Sequence, residues 1–92
     1  MKITVKTFAT FRELLHKEIE AEFEEGATIG RLLDVLCARF PGLAEEIFSA
    51  PAVTKPYVNI LKNGRNIHFI RGLDTHLEDG DIIAMFPPAA GG

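Results

Sequence analysis

The chain has 92 residues, 47% of them apolar, with one cysteine and a formal net charge of −3. That length fits one compact domain; the acidic balance argues against a phosphate-gripping surface, and so against nucleic acid as the main partner; and no apolar run approaches the ~20 residues of a membrane helix. A single cysteine excludes an internal disulfide and, with no signal-peptide core at the N-terminus, points to a reducing, cytoplasmic setting.

Residues 2–9 alternate, with Ile3 and Val5 facing one way and Lys2, Thr4 and Lys6 the other, which predicts a first strand with one buried face. Phe11 to Leu15 reads as a short helical connector. Residues 18–24 alternate more cleanly: Ile19, Ala21 and Phe23 inward, Glu18, Glu20, Glu22 and Glu24 outward. A strand with one all-glutamate face belongs at a sheet edge, where like charges discourage edge pairing. Thr28 suits an N-cap, and Ile29, Leu32, Leu33, Leu36 and Phe40 recur at helical spacing until Pro41-Gly42 ends the helix. Cys37 lies inside this apolar run and reads as a core residue rather than a reactive thiol.

Leu43 to Phe48 predicts a further helical turn, and residues 49–56, with two prolines, a loop. Tyr57 to Lys62 reads as a third strand, Asn63-Gly64 as a two-residue hairpin turn tolerant of positive φ, and Arg65 to Ile70 as a fourth strand. Leu77 to Asp81 is a tight turn feeding a last strand, Ile82 to Phe86. That strand is apolar on both faces, which places it centrally, and Pro87 ends it. The order strand, strand, helix, strand, strand, strand, with the last strand beside the first, predicts an α+β fold of the β-grasp kind. A mixed sheet of about five strands carries one main helix on one face. The domain spans residues 1–86, and residues 87–92 form a flexible C-terminal tail.

Residues 87–92 read Pro-Pro-Ala-Ala-Gly-Gly. Pro87-Pro88 favour an extended exit, and six residues reach at most about 20 Å. The small residues Ala89, Ala90, Gly91 and Gly92 make that arm thin, and a terminal glycine leaves its carboxylate unshielded and ionised at neutral pH. Such a carboxylate can attack the α-phosphate of ATP to give an acyl-adenylate. A sulfur donor then yields a thiocarboxylate, whereas an amine yields an isopeptide bond. The sequence has no P-loop, metal-ligand cluster or nucleophile–base pair, so partners must supply the catalysis. Glycine is about 7% of residues, so Gly-Gly arises by chance roughly once in 200 positions; the apolar strand and proline pair before it give it weight.

Leu77 through Gly92, with Phe8-Ala9, Phe11 to Leu14, Val58 to Gly64 and Gly72 to Thr75, resembles the MoaD/ThiS-like sulfur carriers, in particular the longer archaeal form of the small subunit of molybdopterin synthase. The resemblance covers nearly the whole chain and is densest over residues 57–92. It implies a ubiquitin-like fold and a non-catalytic sulfur carrier. Gly92 would be adenylated and thiocarboxylated. Gly91, Ala90, Pro88 and Pro87 would guide the tail. The implied partners are an E1-like adenylyltransferase that uses ATP, a sulfur donor protein and the synthase large subunit, with no metal and no stably bound cofactor. The segment 43–56 looks longer than in the shorter relatives. Relatives with this tail also serve thiamine synthesis, tRNA thiolation or protein modification, and a passive β-grasp interaction module is the alternative of another class.

Phe8, Phe69, Ile83 and Met85 are expected to form an apolar docking patch on the sheet face away from the helix. His16, His68 and His76 lack zinc-site spacing and read as surface residues. Asp79-Gly80-Asp81 reads as a turn rather than a calcium loop. Lys2, Lys6, Lys55 and Lys62 are conceivable conjugate acceptors, as any exposed lysine is.

Overall fold

The computed structural model describes residues 1–8 and 18–86. The expected connector at 11–15, His16 and the tail residues Pro87, Pro88, Ala90, Gly91 and Gly92 lie outside the described residues. Strand β1 (Lys2–Thr7) pairs antiparallel with β2 (Glu18–Glu22). Helix α1 (Ile29–Arg39) and the short helix α2 (Leu43–Ile47) follow. The chain then forms β3 (Phe48–Ala50), β4 (Val53–Thr54), β5 (Asn59–Lys62), β6 (Arg65–Asn66) and β7 (Ile82–Phe86). The main sheet runs β2-β1-β7-β5-β6, with β7 parallel to β1 and antiparallel to β5. This mixed five-stranded sheet, holding one main helix against one face, is a β-grasp.

The amphipathic pattern dictates that packing. Ile29, Leu32, Leu33 and Leu36 are fully buried, as are Ile3 and Val5 of β1 and Ile83 and Met85 of β7. All belong to one cluster with Ile19, Phe23 and Ile60. Thr28 caps α1 as expected, its Oγ1 accepting from the Arg31 N–H at 3.3 Å. Strand β2 lies at the edge and β7 at the centre, both as the patterning predicts.

Two expected elements take a different form. Residues 49–56 are not an open loop: β3 and β4 form a small antiparallel sheet of their own. Its prolines fall outside the paired residues, Pro51 in the turn and Pro56 beyond β4, so neither deprives the pairing of a donor. Ala52 in that turn adopts φ 61°, a left-handed conformation costly for alanine. The expected fourth strand stops after Asn66 and becomes a 3-10 turn, Ile67–Phe69, capped by Asn66 Oδ1 accepting from the His68 N–H at 2.9 Å. A short amide side chain that bonds its own backbone two residues on competes with ladder pairing. Ile67 is thereby buried while Phe69 is 77% exposed.

The turn before β7 is sewn to the start of β1. The Gly80 N–H donates to the Lys2 carbonyl at 2.9 Å and the Thr4 N–H to the Asp81 carbonyl at 3.0 Å. The Lys2 N–H donates to Asp79 Oδ1 at 2.8 Å. Gly80 has φ 85°, which a side chain would strain.

Candidate functional site

The candidate site lies at the end of the last strand, where Phe86 leads into residues 87–92. Phe86 ends the central strand, opposite Asn59 of β5. Its ring stacks on that of Phe8, with centroids 4.4 Å apart and planes 8° from parallel. The stack, with strand pairing on both sides of β7, fixes where the chain leaves the sheet.

The expected docking patch is corrected here. Ile83 and Met85 have no exposed surface and lie under the helix. The reason is phase. In the parallel β1–β7 pair Val5 is in register with Ile83 and Thr7 with Met85, so the face that buries Ile3 and Val5 also takes Ile83 and Met85. The open face instead carries Ile82, Ala84 and Phe86, with Thr4 and Lys6 beside them on β1 and Leu61 on β5. Ile82 is 42% exposed, and Phe8 and Phe86 are half-buried. Phe69 is exposed as expected, but on the 3-10 turn at the far edge, with the His68 ring edge-on at 6.2 Å. Of the four expected residues, then, only Phe8 joins the open-face patch beside the tail base. The missed residues are Ile82 and Phe86, and the phase of Ile3 and Val5 finds them only once the β1–β7 register is known.

Charge around this face is patterned. Across the β1–β2 ladder Lys2 faces Glu22 and Lys6 faces Glu18, an opposite-charge arrangement that favours the pairing. At the other flank, Lys62 Nζ lies 2.7 Å from Glu78 and 3.5 Å from Asp81. The hydrogen bond to Glu78 holds the Lys62 amine above its usual range. Asn63, at φ 49° in the hairpin turn, donates from Nδ2 to Asp81 Oδ1 at 2.8 Å and accepts from the Ile82 N–H at 2.8 Å. Asp81 Oδ2 takes the Glu78 N–H at 2.8 Å. This clasp ties the β5–β6 turn to the first residue of β7.

Among the described residues, no group of three or more His, Cys, Asp or Glu side chains is arranged to hold a metal ion, and no helix is long and apolar enough to cross a membrane. Cys37 is half-buried at the margin of the core rather than within it; burial and then Asp34 push its thiol up, away from the reactive thiolate. His68 and His76 are exposed.

The profile described as "ThiS family" matches residues 5–92. The chain is 43% identical over 93 residues to small archaeal modifier protein 3 of Haloferax volcanii, covering 100% of both chains. It is 35% identical over 69 residues to the sulfur carrier protein CysO of Mycobacterium tuberculosis, covering 73% of this chain and 74% of that one. A Pyrococcus furiosus structure, provisionally assigned as molybdopterin converting factor subunit 1, superposes with a TM-score of 0.78 at 35% identity, covering 97% of this chain and 99% of that one.

Proposed function

Because this chain belongs to the ThiS family of ubiquitin-like sulfur carriers, we propose that it carries sulfur as a thiocarboxylate on Gly92 and serves as the non-catalytic small subunit of a molybdopterin synthase. The observation that carries this reading is the extent of the family match. It runs through Gly92 and so includes the Gly-Gly motif together with the strand that anchors its base. The likeness to the Pyrococcus furiosus protein supports the choice of pathway.

In this reading an E1-like adenylyltransferase docks on the open sheet face around Phe8, Ile82, Ala84 and Phe86, and takes residues 87–92 into its own site. Pro87 and Pro88 direct the arm, and Ala90 and Gly91 keep it slender. The Gly92 carboxylate oxygen attacks the α-phosphorus of ATP held by the partner, and pyrophosphate leaves. Hydrosulfide-level sulfur from a donor protein then attacks the acyl carbon. AMP departs with the bonding electrons, the sulfur proton passes to solvent, and a thiocarboxylate remains. The large synthase subunit takes that sulfur for a pterin precursor.

The identity to small archaeal modifier protein 3 favours a second reading, in which the same adenylate acylates lysines of other proteins. Deleting Gly92 from the chromosomal copy separates the possibilities. The sulfur-carrier reading expects molybdopterin to disappear while the purified variant melts as the wild type does. Persistent molybdopterin, with lysine conjugates ending in Gly92 that are present in the wild type and vanish in the variant, favours modification, and persistence with no such conjugates in either strain leaves a passive interaction domain.

A further inference from the structure

A groove of about 820 Å³ runs along the side of α1 that the sheet does not cover. Helix positions Gly30 and Asp34 form one wall, α2 and the β3–β4 hairpin the other, and the 3-10 turn Gly72–Asp74 closes one end. Its floor is mostly apolar, built from Cys37, Ala44, Phe48 and Leu73. Its polar side chains Asp34, Glu45, Ser49 and Asp74 are exposed and sit around that floor rather than beneath it. Recognition there has to come from the apolar floor and the rim.

The rim is acidic. Asp34, Glu45 and Asp74 line it, against one cation, Arg31, whose Nε is engaged by Glu24 Oε1 at 3.0 Å. An apolar floor inside an acidic rim is complementary to an amphipathic helix with lysines or arginines flanking its apolar stripe. The geometry points to this groove as the docking site for a basic amphipathic helix of a partner protein. It lies on the helix side of the sheet, whereas the Phe8–Phe86 stack lies on the open face, so one partner is held here while another engages the base of the tail. The assignment stands on the groove alone and does not depend on the sulfur-carrier reading.

The test uses the full ¹⁵N-labelled chain and a synthetic helical peptide with a leucine face flanked by lysines, beside the same peptide carrying glutamates. Saturable amide shifts centred on Gly30, Cys37, Ala44 and Leu73 are expected with the lysine peptide and none with the glutamate peptide. The exposed double variant Asp34→Lys/Asp74→Lys should bind the lysine peptide about tenfold more weakly and begin to bind the glutamate peptide. The variant Ala44→Lys, which puts a cation on the floor, should weaken the lysine peptide as well. No saturable binding, shifts centred on Ile82 and Phe86, or equal affinity for both peptides would overturn the proposal. So would variants that fold and bind the lysine peptide as the wild type does.

Discussion

Asn63 concentrates several demands in one side chain. It accepts positive φ in the hairpin turn, donates to Asp81 and accepts from the start of β7. Asn63→Ala keeps none of these, and it removes a donor from a carboxylate that is 4% exposed. A loss of about 2–3 kcal/mol is expected in urea unfolding, and Asn63→Gly, which restores the backbone freedom, should lose less. The turn was legible from Asn63-Gly64. The two side-chain bonds were not, because they depend on the turn at residues 77–81 coming alongside. A second residue-scale contrast tests the corrected phase of β7. Ile83→Ala should cost about 2–4 kcal/mol, as a core truncation does. Ile82→Ala should cost under about 1 kcal/mol yet weaken docking of an activating enzyme. Equal stability losses at the two positions would sink the assignment of faces.

At the scale of elements, β2 is protected as an edge by Glu18, Glu20 and Glu22. Replacing all three with threonine keeps strand propensity and removes the repulsion. Concentration-dependent association should then appear in light scattering, and a variant that stayed monomeric would count against the edge argument. Here the sequence was direct, since alternation and charge both named the edge. It was less direct for Arg65 to Ile70, where apolar content suggested a strand but Asn66 starts a 3-10 turn instead. The β3–β4 pair was hidden by its prolines, whose effect depends on whether they fall between paired residues or outside them.

The clasp between Lys62, Glu78 and Asp81 adds a pH dependence. The hydrogen bond to Glu78 raises the Lys62 pKa, so its contribution is fully present below the ordinary lysine value and is lost as pH rises through the raised one, in strongly alkaline solution. Lys62→Met should cost about 0.5–1 kcal/mol at neutral pH and flatten the alkaline decline of stability. Glu24 has the opposite sign. Its own backbone N–H, and then Arg31, lower its pKa, so its contribution is present above the ordinary glutamate value and is lost as pH falls through the lowered one.

For the whole molecule, the architecture was readable because β-grasp topology follows from a few strong signals: an acidic edge, a capped amphipathic helix and a central strand apolar on both faces. The docking patch was not, because parity on one strand gives two faces but not which of them meets the helix; only the parallel pairing of β7 with β1 settles that. In the proposed function the folded residues serve as a handle, and the chemistry sits at residue 92, beyond the last strand. Appending a residue after Gly92 should therefore leave Tm unchanged while abolishing sulfur transfer.

The central claim is that Gly92 carries sulfur, and intact-mass measurement with C-terminal fragmentation, on the chain purified from its native cells without reductive treatment, tests it most directly. The account predicts a fraction heavier by the replacement of one oxygen with sulfur, localised to Gly92, which disappears when the activating enzyme is deleted. A chain carrying only an ordinary carboxylate at Gly92, in cells grown under conditions that call for molybdopterin but with the large synthase subunit removed so that any charged carrier accumulates, would contradict it.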